Sequence, residues 1–442
     1  MTIDSPKTTG EIPFGKNNME YKNIGEYKYF DKCRFCFSKN GEVVIDIGHV
    51  PLAGGFLEAG SKEDDFNKEK QYPLQLFFCK DCKMLQVNSS INPDTLFKNY
   101  FYFTSSMTTL VEYFKKFSDE LLKNAKYSEK THIVEIGCND GALLDAFIKK
   151  GITVTGVDPA TNVVKPLIKR GIPIINDYFG EKVATDIINK KGQADYIVSF
   201  HSMAHIENMH DVVKGIKKLL KPTGTLAFEV HYLGNLILEK QYDMIYHEHQ
   251  YYYSLHSLQN FFAQYEMEVF DVQKTPMRGG SMIYYVQHKN SKSKKITQKV
   301  KGLLLFEKKN RLINIETFQK YNDFIKSTRK KLIKLLDELL LQNKTIIGYG
   351  ASGRGTIIMN YCGLDKKYFT QVIDDAPQKW DAYTPGTHQK IIDSSLLSSS
   401  KNPDYCVLFA WPFTNEVVKR NEIFIKKGGK FITPLPHVKI IP

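Results

Sequence analysis

The sequence lacks any apolar run of the roughly 18 residues that a membrane span needs. Its first fifteen residues are polar and contain proline and glycine, so the apolar middle of a secretory signal is missing as well. We therefore predict a cytoplasmic protein without a membrane partner.

Two further patterns are missing, namely a basic stripe interleaved with aromatic residues and an even, evenly spaced set of cysteines. The net charge is +13, carried mostly by lysines that spread along the chain and cluster at 292–301 and 329–334. We interpret these lysines as solvated surface, with attraction for a diphosphate substrate as the alternative, and expect no nucleic-acid partner. The seven cysteines do not predict a disulfide framework.

The most informative stretch lies at 131–148, where an apolar strand pattern runs into a glycine-containing turn and a helix. The turn contains, in order, Glu135, Gly137, Asn139, Asp140 and Gly141. Such a corner binds nucleotides in doubly wound sheets, but its acidic residues favour a cationic ligand over a phosphate. A second strand pattern ends in Asp158 about twenty residues on, where such folds bind a ribose diol.

This corner resembles motif I and the acidic strand end of class I S-adenosylmethionine-dependent methyltransferases. Strands are predicted at 132–136, 153–157, 195–200, 225–230, 268–273 and 281–287. Their alternation with helices predicts a mostly parallel sheet with helices on both faces, and the last two strands would form its antiparallel end. In such folds Asp177 would hold the adenine amine, and Ser199 and His201 would face the methyl donor.

Four cysteines near the N-terminus form two C-x-x-C pairs: Cys33, Cys36, Cys79 and Cys82. Two such knuckles can supply four thiolates to one tetrahedral zinc ion. Because four protein ligands leave no open coordination position, the metal would be structural. Redox C-x-x-C motifs or four buried cysteines are the alternatives.

An aromatic segment contains Tyr246-His247-Glu248-His249. The histidine pair invites a metal interpretation, but it lacks the H-E-x-x-H spacing and needs a third ligand. We favour a general base held by a carboxylate, because a histidine pKa lies near neutrality. In an extended segment Tyr246 and Glu248 would share one face as orienting or oxyanion-stabilising groups, and His249 would turn to the other face as the base.

Two flanking segments could complete a pocket. Tyr102 lies in a tyrosine-rich piece before a helix and could contribute a hydroxyl, with Tyr100 as the alternative. Arg278, in an Arg-Gly-Gly-Ser turn, could contact an anionic ligand.

A second strand–turn–helix pattern follows a lysine-rich stretch, 291–343, that predicts one long connecting helix. Gly348, Gly350 and Gly353 match G-x-G-x-x-G, which alone would indicate NAD. Any phosphate could bind at such a helix start, so we expect a diphosphate site. Its predicted residues are Gly350, Ser352, Arg354, Asp374 and His388.

Five motifs follow one another along the chain: the four cysteines, the glycine-containing corner at 135–141, the run at 246–249, the Arg-Gly-Gly-Ser turn and the glycine-rich second unit. Together, in this order, they resemble the sugar C-methyltransferases that act on nucleotide-linked 4-keto-deoxysugars. The resemblance covers about residue 30 to 442. It implies S-adenosylmethionine as methyl donor, one structural zinc ion, and a nucleoside-diphosphate sugar held between the central and C-terminal domains. It assigns the catalytic base to His249, with Tyr246, Glu248 and a tyrosine matched here by Tyr102 beside it, and His247 at a variable position.

The predicted fold is α/β with a zinc module, a central class I methyltransferase sheet and a second Rossmann-like domain, in a monomer. The predicted ranges are 1–27 for a mobile lead, 28–90 for the zinc module, 91–290 for the methyltransferase domain, 291–343 for the connecting helix and 344–442 for the substrate domain. We expect C3-methylation by way of an enolate, in deoxysugar or surface-polysaccharide biosynthesis. The alternatives are an O-methyltransferase, a nicotinamide-dependent enzyme and a non-catalytic zinc module.

Overall fold

The computed structural model describes residues 8–12, 19–98, 100, 103–123, 127–291, 293–400 and 402–441. The tyrosine that the sequence places in the active site, Tyr102, lies outside these residues.

The N-terminal region consists of short antiparallel strands and two short helices. Its elements are β1 (Thr8–Ile12), β2 (Met19–Asn23), β3 (Tyr27–Tyr29), β4 (Gly41–Val50), α1 (Glu63–Asn67), β5 (Tyr72–Cys79), β6 (Leu85–Val87), β7 (Ser89–Ile91) and α2 (Pro93–Phe97). One sheet has the order β1-β2-β3-β7. Two of its strands, β1 and β2, lie inside the range predicted as a mobile lead, and β2 pairs with β3 across the predicted boundary at residue 28.

The central region supplies a seven-stranded sheet. Its elements are α3 (Thr108–Leu122), β8 (His132–Ile136), α4 (Ala142–Ile148), β9 (Thr153–Val157), α5 (Thr161–Lys169), β10 (Ile174–Ile175), α6 (Glu181–Lys191), β11 (Ala194–Phe200), α7 (Met209–Leu219), β12 (Leu220–His231), α8 (Leu233–Leu238), β13 (Tyr251–Tyr252), α9 (Leu255–Ala263), β14 (Met267–Thr275) and β15 (Ser281–His288). The order is β10-β9-β8-β11-β12-β15-β14. The first five strands run parallel, and β15 and β14 form the predicted antiparallel end.

This strand order puts a switch point between β8 and β11, because the chain moves outward in one direction after β8 and in the other after β11. Ligands of open α/β sheets bind outside the carboxyl ends of the strands at such a point. The register pairs Ile136 with Val157 and Val198 with Glu135, so the ends of β8, β9 and β11 meet at one edge.

One strand of the central region, β13, belongs to a second N-terminal sheet. The order of that sheet is β13-β6-β5-β4, and Tyr251 and Tyr252 pair with Gln86 and Leu85. The segment that begins at Tyr246 is thereby tied to the cysteine module, a contact that the sequence did not predict.

The C-terminal region begins with two helices and continues as a second α/β sheet. Its elements are α10 (Gln298–Lys309), α11 (Ile315–Leu341), β16 (Ile346–Tyr349), α12 (Gly353–Cys362), β17 (Gln371–Ile373), β18 (Lys390–Ile392), β19 (Tyr405–Leu408), α13 (Thr414–Arg420), α14 (Glu422–Lys426), β20 (Lys430–Thr433) and β21 (Lys439–Ile441). The sheet order β18-β17-β16-β19-β20-β21 has its own switch point between β16 and β19. The predicted Rossmann-like domain is therefore present.

The single connecting helix predicted over 291–343 is wrong in one respect, since the chain breaks it between α10 and α11. Arg311 adopts a left-handed conformation with φ 54° at the break. A buried carboxylate explains why α10 is held separately: Glu307 accepts hydrogen bonds from Tyr232 Oη, from the backbone N–H groups of Leu255 and His256 and from His256 Nδ1. These bonds tie α10 to the start of α9.

The apolar side of α11 packs on the cysteine module. Leu332, Leu336 and Leu339 are buried. Phe318 packs on Phe78 of β5, with ring centroids 4.6 Å apart. No helix among the described residues is both long and apolar enough to span a membrane.

Candidate active site

The four predicted cysteines converge on one point. Their Sγ atoms all lie within 4.8 Å of one another, with 3.4 Å between Cys33 and Cys82 and 3.5 Å between Cys36 and Cys79. A tetrahedral zinc ion with Zn–S bonds of about 2.3 Å separates its sulfur ligands by about 3.8 Å. The donor set therefore fits zinc, and the absence of a free coordination position makes the ion structural.

No second group of metal-ligating side chains converges in the described part of the chain. The metal interpretation of the His247 and His249 pair therefore has no support. His247 is fully buried, with both ring nitrogens unpaired and its ring beside Tyr72, whereas His249 faces a cavity.

That cavity, of about 390 Å³, lies at the carboxyl edge of β8, β9 and β11. Ligand pockets of enzymes commonly measure about 300–1,000 Å³. The predicted site residues that line it are Glu135, Gly137, Asn139, Asp158, Asp177, His201, Tyr246, Glu248, His249 and Arg278, together with the alternative Tyr100. The structure thus brings most of the predicted cofactor and catalytic residues to one place.

The turn after β8 is shaped by backbone conformation. Gly141 adopts φ 79°, a left-handed conformation that favours glycine, and α4 begins directly after it. Just before the turn, in β8, Glu135 is buried and its Oε2 has no hydrogen-bond partner. Burial, and then the neighbouring charges of Asp158 and Asp140, raise the pKa of Glu135 well above its usual value. A cationic ligand would relieve this cost, as the sequence predicted.

Asp158 is fixed at the end of β9 by the backbone. The N–H groups of Asn139 and Ala160 donate to its two carboxylate oxygens at 2.8 and 2.9 Å. Burial still raises the pKa of Asp158 above its usual value. The carboxylate is therefore held rigidly at the cavity wall, in the position predicted for a ribose contact.

Two residues of the predicted turn, Asn139 and Asp140, bind the segment before α3. Asp140 accepts hydrogen bonds from the backbone N–H and hydroxyl of Ser105, and the Asn139 amide oxygen accepts from Thr104 N–H. Asp140 and Gly141 do not line the cavity. The acidic turn thus fastens the segment before α3.

Of the remaining predicted cofactor residues, two line the cavity and one does not. Asp177 lines the cavity and accepts a hydrogen bond from Tyr178 N–H at 2.7 Å. Ser199 is fully buried and donates to the Ile136 carbonyl at 3.0 Å, so it joins β11 to β8 and does not face the cavity. His201 lines the cavity and lies 3.5 Å from the buried carboxylate of Glu229.

One ring nitrogen of His249 forms a hydrogen bond within the protein, and the other does not. Its Nδ1 lies 2.9 Å from the Met244 carbonyl, which can only accept, so Nδ1 carries the proton. Nε2 has no hydrogen-bond partner among the described residues and bears the free lone pair. Burial, and then the nearby His205, hold the pKa of His249 well below its usual value, which keeps the ring neutral.

The segment around His249 is a turn, where an extended strand was predicted. The His249 N–H donates to the Tyr246 carbonyl at 3.0 Å, and the two rings lie 3.9 Å apart. The turn brings Tyr246, Glu248 and His249 into the same cavity, so the prediction of opposite faces was wrong. The His249 ring is oriented by a backbone carbonyl, whereas Glu248 Oε2 has no hydrogen-bond partner.

Sequence reasoning missed His205, which lines the cavity from the loop after β11. Its ring is stacked between Phe97, at 5.7 Å, and His249, at 5.2 Å. Burial lowers the pKa of His205 to about 3, so it stays neutral. Because its neighbours come from distant parts of the chain, no local pattern marks it.

Two cavity residues, Tyr100 and Arg278, lie on loops that are fixed by hydrogen bonds to side chains of other segments. Tyr100 exchanges two hydrogen bonds with the Asn162 side chain. Arg278 has the left-handed φ of 50°, and the carbonyl of the next residue, Gly279, accepts from Gln241 Nε2 at 2.7 Å.

The predicted diphosphate residues of the C-terminal domain do not line this cavity. Arg354 forms a bidentate ion pair with Asp243 at 2.7 and 2.9 Å, and Ser352 caps α12. Asp374 accepts from Ala376 N–H and Lys379 Nζ. His388 lies 2.8 Å from Glu69 and is stacked on Phe66. The prediction that Gly350, Ser352, Arg354, Asp374 and His388 converge on a ligand has no support from these contacts.

Comparison with known proteins gives three matching family models. They are described as a zinc binding domain over residues 33–97, a methyltransferase domain over 110–272 and a C-methyltransferase C-terminal domain over 276–436. The three follow one another in the order of the three regions described above.

Among curated proteins, the chain is similar to the C-methyltransferase NovU of Streptomyces niveus. The two are 30% identical over 411 residues, which cover 93% of this chain and 97% of that protein. A shorter match, 28% identical over 100 residues, is to the ubiquinone biosynthesis O-methyltransferase of Escherichia coli and covers 22% of this chain and 41% of that protein.

The solved structures that the chain is similar to each cover about two fifths of it. The magnesium protoporphyrin IX methyltransferase of Synechocystis, with bound SAH, is 14% identical with a TM-score of 0.30, over 40% of this chain and 81% of that one. The PH0226 protein of Pyrococcus horikoshii is 15% identical with a TM-score of 0.33, over 42% and 95%.

The near full-length similarity to NovU agrees with the family models and with the strand order, the four-cysteine site and the acidic corner. The family uses S-adenosylmethionine as its cofactor, and the four cysteines form the metal site of the matched zinc-binding domain. The chain belongs to the family of S-adenosylmethionine-dependent C-methyltransferases with an N-terminal zinc-binding module.

Proposed function

We propose that the chain methylates C3 of a nucleoside-diphosphate-linked 4-keto-deoxysugar, with His249 as the general base. The observation that carries this proposal is the position of His249: its Nε2 is unpaired, and it lines the same cavity as Glu135 and Asp158. A base that must act on carbon has to lie beside the methyl donor, because the carbanion it creates reacts where it forms.

The proton transfer follows from the tautomer of His249. Nε2 takes the proton from C3, the electrons of the C–H bond form the enolate double bond, and the negative charge moves to the oxygen at C4. The Met244 carbonyl remains the acceptor for Nδ1–H and stabilises the imidazolium that results. After turnover the ring returns its proton to solvent.

Donors at the cavity wall would stabilise the enolate oxygen. Burial raises the pKa of Tyr246 above its usual value, so its phenol stays protonated and can donate. Arg278 lines the same cavity and offers a positive charge. We assign the oxyanion contact to Tyr246 and the substrate anion to Arg278.

The corner after β8 would hold the methyl donor, with Asp158 on the ribose, Asp177 near the adenine and Glu135 near the cationic end. When bound, S-adenosylmethionine supplies an electrophilic methyl group for the enolate carbon. The residues of this chain contribute the base, the oxyanion donors and the placement of both reactants.

The sugar substrate is supported by the order of motifs along the chain and by the similarity to NovU, whose name states C-methylation. A ketone next to the methylated carbon explains why the site has a neutral base and donors but needs no catalytic metal. We assign the reaction to deoxysugar or surface-polysaccharide biosynthesis.

The test uses nucleotide sugars with and without the 4-keto group, first in deuterated water without S-adenosylmethionine. The wild-type protein should exchange the C3 hydrogen of the keto sugar for deuterium, and His249→Asn should not. With S-adenosylmethionine, the product should gain a methyl group on carbon, located by NMR. Methyl transfer to oxygen, or exchange that survives in His249→Asn, would contradict the proposal.

A further inference from the structure

Arg34 is a charged residue buried inside the cysteine module. It lies between Cys33 and Cys36 in the sequence and is only 2% exposed. Its guanidinium packs against Phe30 and Tyr251, with distances to the ring centroids of 4.8 and 4.6 Å. A buried arginine is costly unless its charge is balanced and its N–H groups are bonded.

The N–H groups of Arg34 are bonded to neutral acceptors. Nη1 donates to Gln250 Oε1 at 2.7 Å, Nη2 to the Val87 carbonyl at 2.6 Å, and Nε to Gln86 Oε1 at 3.3 Å. No carboxylate of the described residues pairs with Arg34. Glu207, whose carbonyl accepts from Tyr251, pairs with Lys28.

In the zinc-loaded protein the metal centre would supply the balancing charge. Four thiolates and one Zn²⁺ carry a net charge of about −2. The link is short, because Gln86 accepts from Arg34 Nε and donates through Nε2 to Cys33 Sγ at 3.1 Å. An arginine next to this anionic centre is stabilised where an arginine among neutral groups would not be.

On its other side, Arg34 holds the segment that contains the proposed base. Gln250 follows His249 directly, and its Nε2 donates to the His247 carbonyl at 2.6 Å. Its backbone N–H donates to Ala204 and its carbonyl accepts from Val87 N–H. Gln250 is thus the residue at which the 246–249 turn passes into strand β13.

We propose that Arg34 is a positioning residue for this turn, through which the zinc centre sets the orientation of His249. The zinc centre anchors the guanidinium electrostatically, the guanidinium fixes the Gln250 side chain, and Gln250 closes the turn through the His247 carbonyl. Zinc loading is thereby coupled to the geometry of the base although the metal touches no substrate. This inference rests on His249 being the base.

The first test compares Arg34→Met, Arg34→Lys and Gln250→Leu, measured for kcat, KM, zinc content and S-adenosylmethionine affinity. Arg34→Met should lower kcat about tenfold or more, because a base displaced by a fraction of an ångström loses its alignment. Zinc content and cofactor affinity should match the wild-type protein. Arg34→Lys, which keeps the charge, should recover part of the activity.

The combined Arg34→Met, Gln250→Leu variant completes a double-mutant cycle. Since both residues act along one path, the loss of kcat in the combined variant should be smaller than the product of the two separate losses. Losses that multiply independently would overturn the inference.

The second test is hydrogen exchange of a peptide that spans 246–252, with a β16 peptide as reference. Arg34→Met and removal of zinc by a chelator should both speed exchange in the 246–252 peptide. Asp81→Asn is the matched control, because Asp81 accepts hydrogen bonds from Ser38 and Asn40 at the outer side of the module. It should leave this exchange and kcat unchanged.

The outcomes separate the two proposals. If His249→Asn retains activity, the assignment of the base fails first. If His249→Asn is inactive while Arg34→Met and Gln250→Leu keep full kcat, or if Asp81→Asn loses as much kcat as Arg34→Met, the positioning role is wrong. Should Arg34→Met not fold, Gln250→Leu and Arg34→Lys decide by the same measurements.

Discussion

The molecule contains two strand–glycine–helix corners that differ in what surrounds them. The corner after β8 opens on a cavity of about 390 Å³, and its carboxylates, Glu135 and Asp158, form part of the wall. The corner after β16 has the better match to a dinucleotide motif. A Cβ at Gly350 would lie 2.8 Å from the backbone nitrogen of Ala410, and Gly353 approaches Ala53 of the zinc module.

The charged residues of the second corner form ion pairs and hydrogen bonds with other residues of the chain. Arg354 pairs with Asp243, which is fully buried and also accepts from Trp411 Nε1 at 2.7 Å. Asp374 is bonded to Lys379, which also donates to the Ala351 carbonyl at 2.7 Å. Glycine spacing thus specifies a turn, and the neighbouring residues decide whether that turn binds a ligand or a domain.

The largest expected difference is in kcat, between a substitution of His249 in the cavity and a substitution of His388 in the C-terminal domain. His249→Asn should lower kcat about 10²- to 10⁴-fold, the range of general-base catalysis. His388→Asn, beside the second corner, should leave kcat close to that of the wild-type protein, because His388 contacts Glu69 and Phe66 and no cavity residue. Steady-state kinetics on the keto sugar measure both, and equal losses would remove the distinction.

Arg354 should matter for stability. Arg354→Met leaves the Asp243 carboxylate buried without its cation, which should cost about 3–5 kcal/mol in the free energy of unfolding. Lys344→Met breaks the half-exposed pair with Asp404 and should cost less than about 1 kcal/mol. Urea unfolding compares the two. A small loss for Arg354→Met with a large rise in substrate KM would instead show that the second corner binds substrate.

Asp158 and Asp374, one carboxylate at each corner, should differ in their effect on the affinity for S-adenosylmethionine. Asp158→Asn should weaken S-adenosylmethionine binding about tenfold or more, since a hydrogen bond to a charged group is lost. Asp374→Asn should not change that affinity, and the wild-type protein should bind no NADH. Calorimetric titration measures all three. NADH binding that Asp374→Asn abolishes would make the second corner a nucleotide site.

The smallest expected effect is the pH dependence at the first corner. The pKa of His249 is held well below 6.5 by burial, so the neutral base persists as the pH falls through 6.5 and is protonated only at lower pH. The acidic limb of kcat/KM should therefore lie below pH 6.5. Burial also raises the pKa of Glu248, so the profile of Glu248→Gln tests whether that carboxyl contributes to the limb. A limb centred above 6.5 in both proteins would contradict the assignment.

Local patterns in the sequence predicted what depends on local structure. The two C-x-x-C pairs predicted the thiolate cluster, and strand periodicity gave six strands of the central sheet to within a few residues, although β12 begins earlier, at Leu220. The positions of Glu135 and Asp158 followed from strand ends, because parallel strands bring their carboxyl ends to one edge.

What depends on distant contacts could not be predicted. His205 becomes part of the site only because Phe97 and His249 stack on either side of it. Arg354 has the chemistry of a phosphate ligand, and nothing near it in the sequence shows that Asp243 will take its charge. The turn at 246–249 looks extended in sequence, and its pairing with β6 through Tyr251 and Tyr252 is a tertiary contact.

That pairing has a consequence for synthesis. The sheet β13-β6-β5-β4 receives its last edge strand only after Tyr251 and Tyr252 have left the ribosome, so the cysteine module completes its strand pairing only with the central domain. Fragments cut between the module and the central domain should behave as incomplete pieces, and the gene cannot be shortened at that boundary without leaving an open edge.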